Sequence, residues 1–236
     1  MERIRGILTS LVIGLATALV IVALAILPFL NPVWVGFEQG RADAVAWTGY
    51  PETDLRLATN AILHDLILGP PTFDVAIDGT PVLNDREQQH MRDVRNVFAA
   101  FYLLAIGGAA VLTAAFVTAR DAPARAKLWR RLGLSARVIA VGTVALGIVG
   151  VLFFDTAFEL FHELFFPPGS YLFDPRTDRL VQLFPETFWV ETTVGVGIVI
   201  VALSIVLAWW SGRRAASIEA RVAPGAGVAP ASAAVR

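Results

Sequence analysis

The sequence predicts an all-α integral membrane protein with four transmembrane helices, and three observations carry that prediction. Of its 236 residues 56% are hydrophobic and only 17% charged, too little charge for a soluble domain of this size. Four windows, near 7–30, 94–118, 134–154 and 188–210, match the roughly 20 apolar residues that cross a bilayer core. None contains Lys or Asp; Arg95 and Arg137 fall in the first turn of their windows and Glu191 near the start of the last. Finally, the segments between the windows sort by charge. With both termini cytoplasmic, the inner segments hold 12 Lys and Arg and the outer loops 7, as the positive-inside bias requires. Acids run the other way, 3 inside and 17 outside, which leaves the outer face at −10 and the inner face at +9. An acidic outer face excludes nucleic acid and bulk anionic lipid as partners there. The chain has no cysteine, which removes disulfides, thiolate metal sites and a cysteine nucleophile together.

The elements follow in order, residues 1–212 forming one membrane domain. The basic start and the small residues at Ala23-Leu-Ala25 resemble a cleaved leader, but the apolar run continues to Pro28, so a retained first span is expected. The outer loop 31–93 is long enough to hold structure. It opens on Asn31-Pro32-Val-Trp34, read as a turn with an aromatic at the interface. Apolar residues at 55, 58, 62 and 66 make Asp54 to Leu68 an amphipathic helix lying on the membrane or the bundle, with His64 on its polar face. Alternation at Phe73, Val75 and Ile77 before Asp78-Gly79 reads as a short hairpin. Asn84 or Asp85 then caps the second long helix, with Glu87 or Gln88 as the capping partner. A solvated basic loop, 120–133, leads to a third helix that can run unbroken from Ser135 to Phe166. At 1.5 Å per residue that is about 48 Å, more than a core of roughly 30 Å, so its last three turns must project, tilt or bend. Pro167-Pro168-Gly169 stops it, Tyr171 to Pro185 is a loop, and the outer loop 155–187 ends where the last span starts. The Ala/Gly/Pro-rich stretch 213–236 is expected to be a disordered cytoplasmic tail.

Chemistry concentrates at the outer ends of the second and third helices. On a helix, Asp155, Glu159 and His162 or Glu163 share one stripe, while Phe154, Phe158, Phe161 and Phe165 recur on another face. Glu87-x-x-His90 repeats the Glu159-x-x-His162 spacing. One reading is a di-metal site, since Glu-x-x-His on two helices plus two further carboxylates is a ferritin-like ligand set; Glu186 or Glu191 and Glu38 would complete it. A second is acid–base catalysis, because imidazoles beside carboxylates titrate near neutrality. No Gly-x-Ser-x-Gly accompanies them, so the nucleophile would be water or part of the substrate. The bland alternative is capping and solvation of helix ends. A third class is a non-enzymatic membrane scaffold using the acidic outer face.

Leu83-Asn-Asp-Arg-Glu-Gln-Gln-His-Met-Arg-Asp-Val94 resembles the pre-helix motif of the lipoprotein intramolecular transacylase (Lit) family. Phe158-Glu-Leu-Phe-His-Glu-Leu-Phe-Phe166 and Leu183-Phe-Pro-Glu-Thr-Phe-Trp189 look like its other two signatures, and the resemblance covers about residues 5–212. It implies a cofactor-free and metal-free acyltransferase of the bacterial cell envelope. Its partners are diacylated lipoproteins and membrane lipid, and its site lies at the extracytoplasmic face. The implied reaction moves the sn-2 acyl chain of a diacylglyceryl-cysteine to the lipoprotein's own α-amine, leaving a lyso-form N-acyl product. Following the family's two outer histidines, His90 and His162 are the expected catalytic pair, with Asp85, Glu87 and Glu159 as candidates to orient the imidazoles.

Overall fold

The computed structural model describes residues 2–222. Four of its helices are long and apolar enough to cross a membrane: α1 (Glu2–Ile26), α5 (Asp85–Thr118), α6 (Ala122–Leu152) and α9 (Glu186–Val222). α6 and α9 pack along much of their length, and α1 lies against α5, α6 and α9. Small residues let these backbones approach, as packing without a hydrophobic driving force requires. A Cβ added at Gly108 of α5 would stand 3.1 Å from the Ala16 carbonyl oxygen of α1, and one at Gly133 of α6 would stand 3.3 Å from Ser211 of α9.

All the remaining structure gathers at one end of this bundle. Between α1 and α5 the chain forms α2 (Pro32–Arg41), α3 (Ala44–Thr48), α4 (Glu52–Ile67) and a two-stranded hairpin, β1 (Ala76–Ile77) and β2 (Thr80–Pro81). Asp78 and Gly79 between the strands both have positive φ, the conformation of a tight primed turn. Between α6 and α9 come α7 (Phe154–Phe165) and α8 (Arg179–Leu183). The two insertions share one core: Leu55, Ile62 and Leu63 of α4, then Phe73, Val75, Val82, Leu83 and Met91, packed with Leu180, Leu183, Phe184 and Phe188. This cap has an apolar interior of its own, which fixes the second helix relative to the second loop. The face of α4 that carries Leu55, Ala58 and Ile62 is thus spent on the cap core.

Five details differ from the sequence reading. The basic stretch 120–133, expected as a solvated loop, is helical from Ala122, because Asp121 accepts from the Ala124 amide and Pro123 fits the first turn of α6. Asn31-Pro32 starts a ten-residue helix, because the Asn31 carboxamide accepts from the Val33 and Trp34 amides and Pro32 fits its first turn. The stretch before Pro185 holds α8. The third long helix does not run unbroken to Phe166: Phe153 adopts φ −130°, ψ 45°, and α7 begins anew after it. Lastly, α9 stays helical to Val222, so residues 213–222 are not disordered; the rest of the expected tail lies outside the described residues.

Candidate active site

His90 lies in the second turn of α5, before the apolar stretch that begins at Val94. Its placement starts with Asn84, whose side chain accepts from the Arg86 and Glu87 amides. The Glu87 carboxylate closes the capping box on the Asn84 amide at 2.7 Å, and its other oxygen accepts from the Leu180 amide of α8 at 2.6 Å. Glu87 is 1% exposed. Burial raises its pKa, and these two backbone hydrogen bonds oppose the rise. Glu87 is therefore a brace between the two insertions. Arg92 donates to the Thr72 carbonyl, and Arg95 donates to the carbonyls of Asp65 and Gly69 at the end of α4. The start of α5 is thus fastened on several sides.

His162 arrives on α7, of which it is the one buried residue. The two rings lie 6.0 Å apart between centroids and within 20° of parallel. Phe166 packs against both, at 4.8 Å from His90 and 5.3 Å from His162. Phe173 meets His90, while Phe158, Phe161 and Tyr171 surround His162. Asn84 and Arg86 reach across to Asp178, which in turn accepts from the Asp174 amide, so the loop bearing Phe173 is tied to the start of α5.

The surroundings decide protonation. The His90 pKa is lowered to about 4, chiefly by burial and then by the neighbouring His162, with Asp93 opposing the drop. Burial also lowers that of His162, against a hydrogen bond between its Nδ1 and the Phe158 carbonyl at 2.7 Å. A carbonyl only accepts, so Nδ1 carries a proton and the neutral ring keeps its lone pair on Nε2. Nδ1 of His90 is buried and has no hydrogen-bond partner. The site is thus two neutral imidazoles in an apolar ring-lined setting, one with its tautomer fixed by the backbone.

The carboxylates do not gather round them. Glu87 faces backbone amides, and Asp85 and Glu159 are exposed, as are Asp155 and Glu163 of the same stripe. Among the described residues no three His, Asp or Glu side chains are grouped to hold a metal ion, so the two Glu-x-x-His motifs meet through their histidines alone. Glu38 is buried elsewhere in the cap, one oxygen unpartnered. Burial and the neighbouring Glu191 raise its pKa to about 7 against the nearby Arg41. Arg41 makes a two-pronged ion pair with Glu191, at 2.5 and 2.8 Å. His64 lies in the last turn of α4, largely exposed and 3.4 Å from Asp65. The sequence reading missed Phe173 and Tyr171, which reach the rings from a loop and carry no motif. Asp93, whose charge opposes the fall of the His90 pKa, was missed as well; its i+3 spacing from His90 was the available signal.

Four apolar spans with a buried imidazole pair at their capped end define a multi-pass membrane protein with a candidate acid–base site. The chain belongs to the lipoprotein intramolecular transacylase (Lit) family, whose model matches residues 11–189. The solved structure of the membrane-integral Lit of Bacillus cereus superposes with a TM-score of 0.73 at 18% identity, covering 92% of this chain and 97% of that one. Structures of that protein with a histidine replaced by arginine or by alanine give 0.65 and 0.64. At this identity the likeness establishes the fold. An uncharacterised protein of Aquifex aeolicus (strain VF5) is 28% identical over 128 residues, so the chain spans about half the length, 52%, of that curated relative.

Proposed function

We propose that this protein is a lipoprotein intramolecular transacylase that moves an acyl chain from the sn-2 oxygen of a diacylglyceryl-cysteine to the α-amine of the same cysteine. Family membership supports the reaction class, and the near-parallel pair of neutral imidazoles is the observation that carries the chemistry. The amine attacks the ester carbonyl to form a C–N bond, the proton it sheds goes to a base, and the C–O bond to glycerol breaks as that oxygen takes up a proton. The products are an amide and a free sn-2 hydroxyl, with nothing added or lost.

His162 is the base in this account. Its Nδ1–H is engaged by Phe158, so Nε2 is the atom free to take a proton, and burial keeps that nitrogen unprotonated at neutral pH. An α-amine has a pKa of roughly 7.7–8.0, so such a base suffices to keep it nucleophilic. His90, also neutral, donates a hydrogen bond to the carbonyl oxygen as it gains charge, or to the departing glycerol oxygen. Nucleophile and ester belong to one molecule, so proximity supplies much of the rate. The aromatic wall keeps water from competing for the ester.

The distribution of Lys and Arg supports placing the cap, and with it the site, at the extracytoplasmic face, where mature lipoproteins are anchored. The absence of cysteine makes a direct test available. A membrane-impermeant maleimide should label Ser170→Cys in intact cells and Ala216→Cys only after lysis; the opposite pattern reverses the orientation. For the reaction, mass spectrometry of a reporter lipoprotein's N-terminal peptide should show the lyso-form N-acyl product with the wild-type chain and none with His90→Ala or His162→Ala. Unchanged product in either variant would remove the mechanism.

A further inference from the structure

A second candidate site lies at the end of the bundle remote from the histidines. Where α5, α6 and α9 finish or begin their apolar stretches, a cavity of about 500 Å³ is lined by Phe116, Trp129 and Trp210 together with Arg125, Arg214 and Arg221. That volume is in the range of small-ligand sites. The rings form a connected wall, with Phe116 and Trp129 at 4.9 Å and Trp129 and Trp210 at 5.5 Å. The Arg214 guanidinium rests over Trp210 at 5.6 Å from the ring centroid. Nε of Arg125 donates to the Ala119 carbonyl at 2.9 Å, which fixes that guanidinium and leaves its terminal nitrogens available.

Among the described residues, Arg125, Arg214 and Arg221 enter no ion pair. Only three acids among the described residues lie at this end of the molecule. Glu219 is paired with Arg130, Asp121 caps α6 through the Ala124 amide, and Glu2 sits in the first turn of α1. Three guanidiniums converging without a carboxylate call for an anion, and the planar donor fork matches phosphate oxygens. Tryptophan rings at the end of apolar spans mark headgroup depth. The flanking Val117 and Trp209 are exposed, as lipid-facing side chains are.

We propose that this cavity binds the phosphate-bearing headgroup of an anionic phospholipid, with the guanidiniums on the headgroup and the rings against its glycerol and upper acyl carbons. The aromatic wall and the lipid-facing surroundings favour a lipid over free phosphate, which would engage the arginines and leave the rings unused.

The test uses the full chain in detergent, exposed to equimolar phosphatidylglycerol and phosphatidylcholine, with bound lipid read by native mass spectrometry. Because several guanidiniums each attract the anionic headgroup, phosphatidylglycerol should be retained in preference by roughly tenfold to a hundredfold. Arg125→Gln/Arg214→Gln/Arg221→Gln should erase the preference. Arg3→Gln/Arg5→Gln/Lys127→Gln, which removes equal charge outside the cavity, should keep it. If the triple cavity variant does not fold, Arg214→Gln alone, at an exposed position, should lower the ratio severalfold. No preference in the wild type, or one that survives loss of the cavity arginines, overturns the proposal. So does inorganic phosphate displacing the lipid at concentrations where equal chloride does not, since the site would then be one for free phosphate.

Discussion

His90 and His162 are held in opposite ways. The start of α5 is fastened by a capping box, by Glu87 bonded to α8, by Arg92 and Arg95 on carbonyls around the end of α4, and by Met91 in the cap core. α7 has little of this. It lies between the break at Phe153 and the turn at Pro167-Pro168-Gly169, buries His162 alone, and exposes Leu160, Phe161, Leu164 and Phe165. One imidazole thus stands on a rigid scaffold, and the other rides on an apolar surface helix docked through aromatic rings. Under the proposed function, the contrast points to a route for the substrate. A lipid bearing two acyl chains reaches a buried ring pair most easily by displacing α7, whose greasy face already belongs among acyl chains, while His90 keeps its place.

Perturbations of the two histidine supports should therefore differ in kind. His162→Asn retains an N–H able to meet the Phe158 carbonyl but has no titratable nitrogen. Acyl transfer by purified protein should fall by roughly 10²–10⁴-fold with little change in thermal stability. A loss of stability as large as the loss of activity would reduce His162 to a packing residue. On the α5 side the brace governs stability more than the ring does. Glu87→Ala leaves the buried Leu180 amide and the Asn84 amide unpaired and should destabilise the fold by about 3 kcal/mol, read by denaturant or thermal unfolding in detergent. Glu87→Gln, which can still accept, should cost less. Equal stability of wild type and Glu87→Ala would contradict the bracing role.

Stability should also depend on pH through these rings. Both folded-state pKa values lie below the unfolded histidine value of about 6.5, so the unfolded chain binds protons that the folded chain refuses. The contribution is whole above pH about 6.5 and declines as pH falls toward about 4, the folded value for His90. His90→Ala should flatten that decline in melting curves taken across this window. The smallest effect belongs to His64→Ala, an exposed ring outside the pair, which should leave acyl transfer within about twofold, since surface changes seldom matter.

The legible parts of this molecule were those written in local pattern. Four long apolar windows, the hairpin turn at Asp78-Gly79 and the capping of α5 by Asn84 and Glu87 each sit within a few residues of sequence. The two histidines were legible as candidates because each closes a Glu-x-x-His at the end of a span. Their mutual approach was expected from their shared membrane face and the family resemblance, but no local pattern fixes it, since it depends on how α7 and the loop bearing Phe173 pack against the start of α5. α2 was hidden because Gly36 and Gly40 dilute its helical signal and Asn-Pro reads equally as a turn. The break at Phe153 falls at the outer end of an apolar run; Gly147 and Gly150 weaken the helix before it, but the helical spacing of Phe154, Phe158, Phe161 and Phe165 resumes at once and masks it. Glu87 was also read as a ligand or an orienting acid; its capping contact with the Asn84 amide was legible, but its second contact, with the amide of the far-off Leu180, was not.

The central claim is that His90 and His162 act as one unit on a single ester. Its most direct test is the initial rate of sn-2 O-to-N acyl migration on a synthetic diacylglyceryl-cysteine peptide in nanodiscs, for the wild type, His90→Ala, His162→Ala and the double variant. The account predicts that both single variants fall to nearly the same floor and that the double variant lies no lower, as for residues that work together. Losses that multiply in the double variant, or a single variant near wild-type rate, would contradict it.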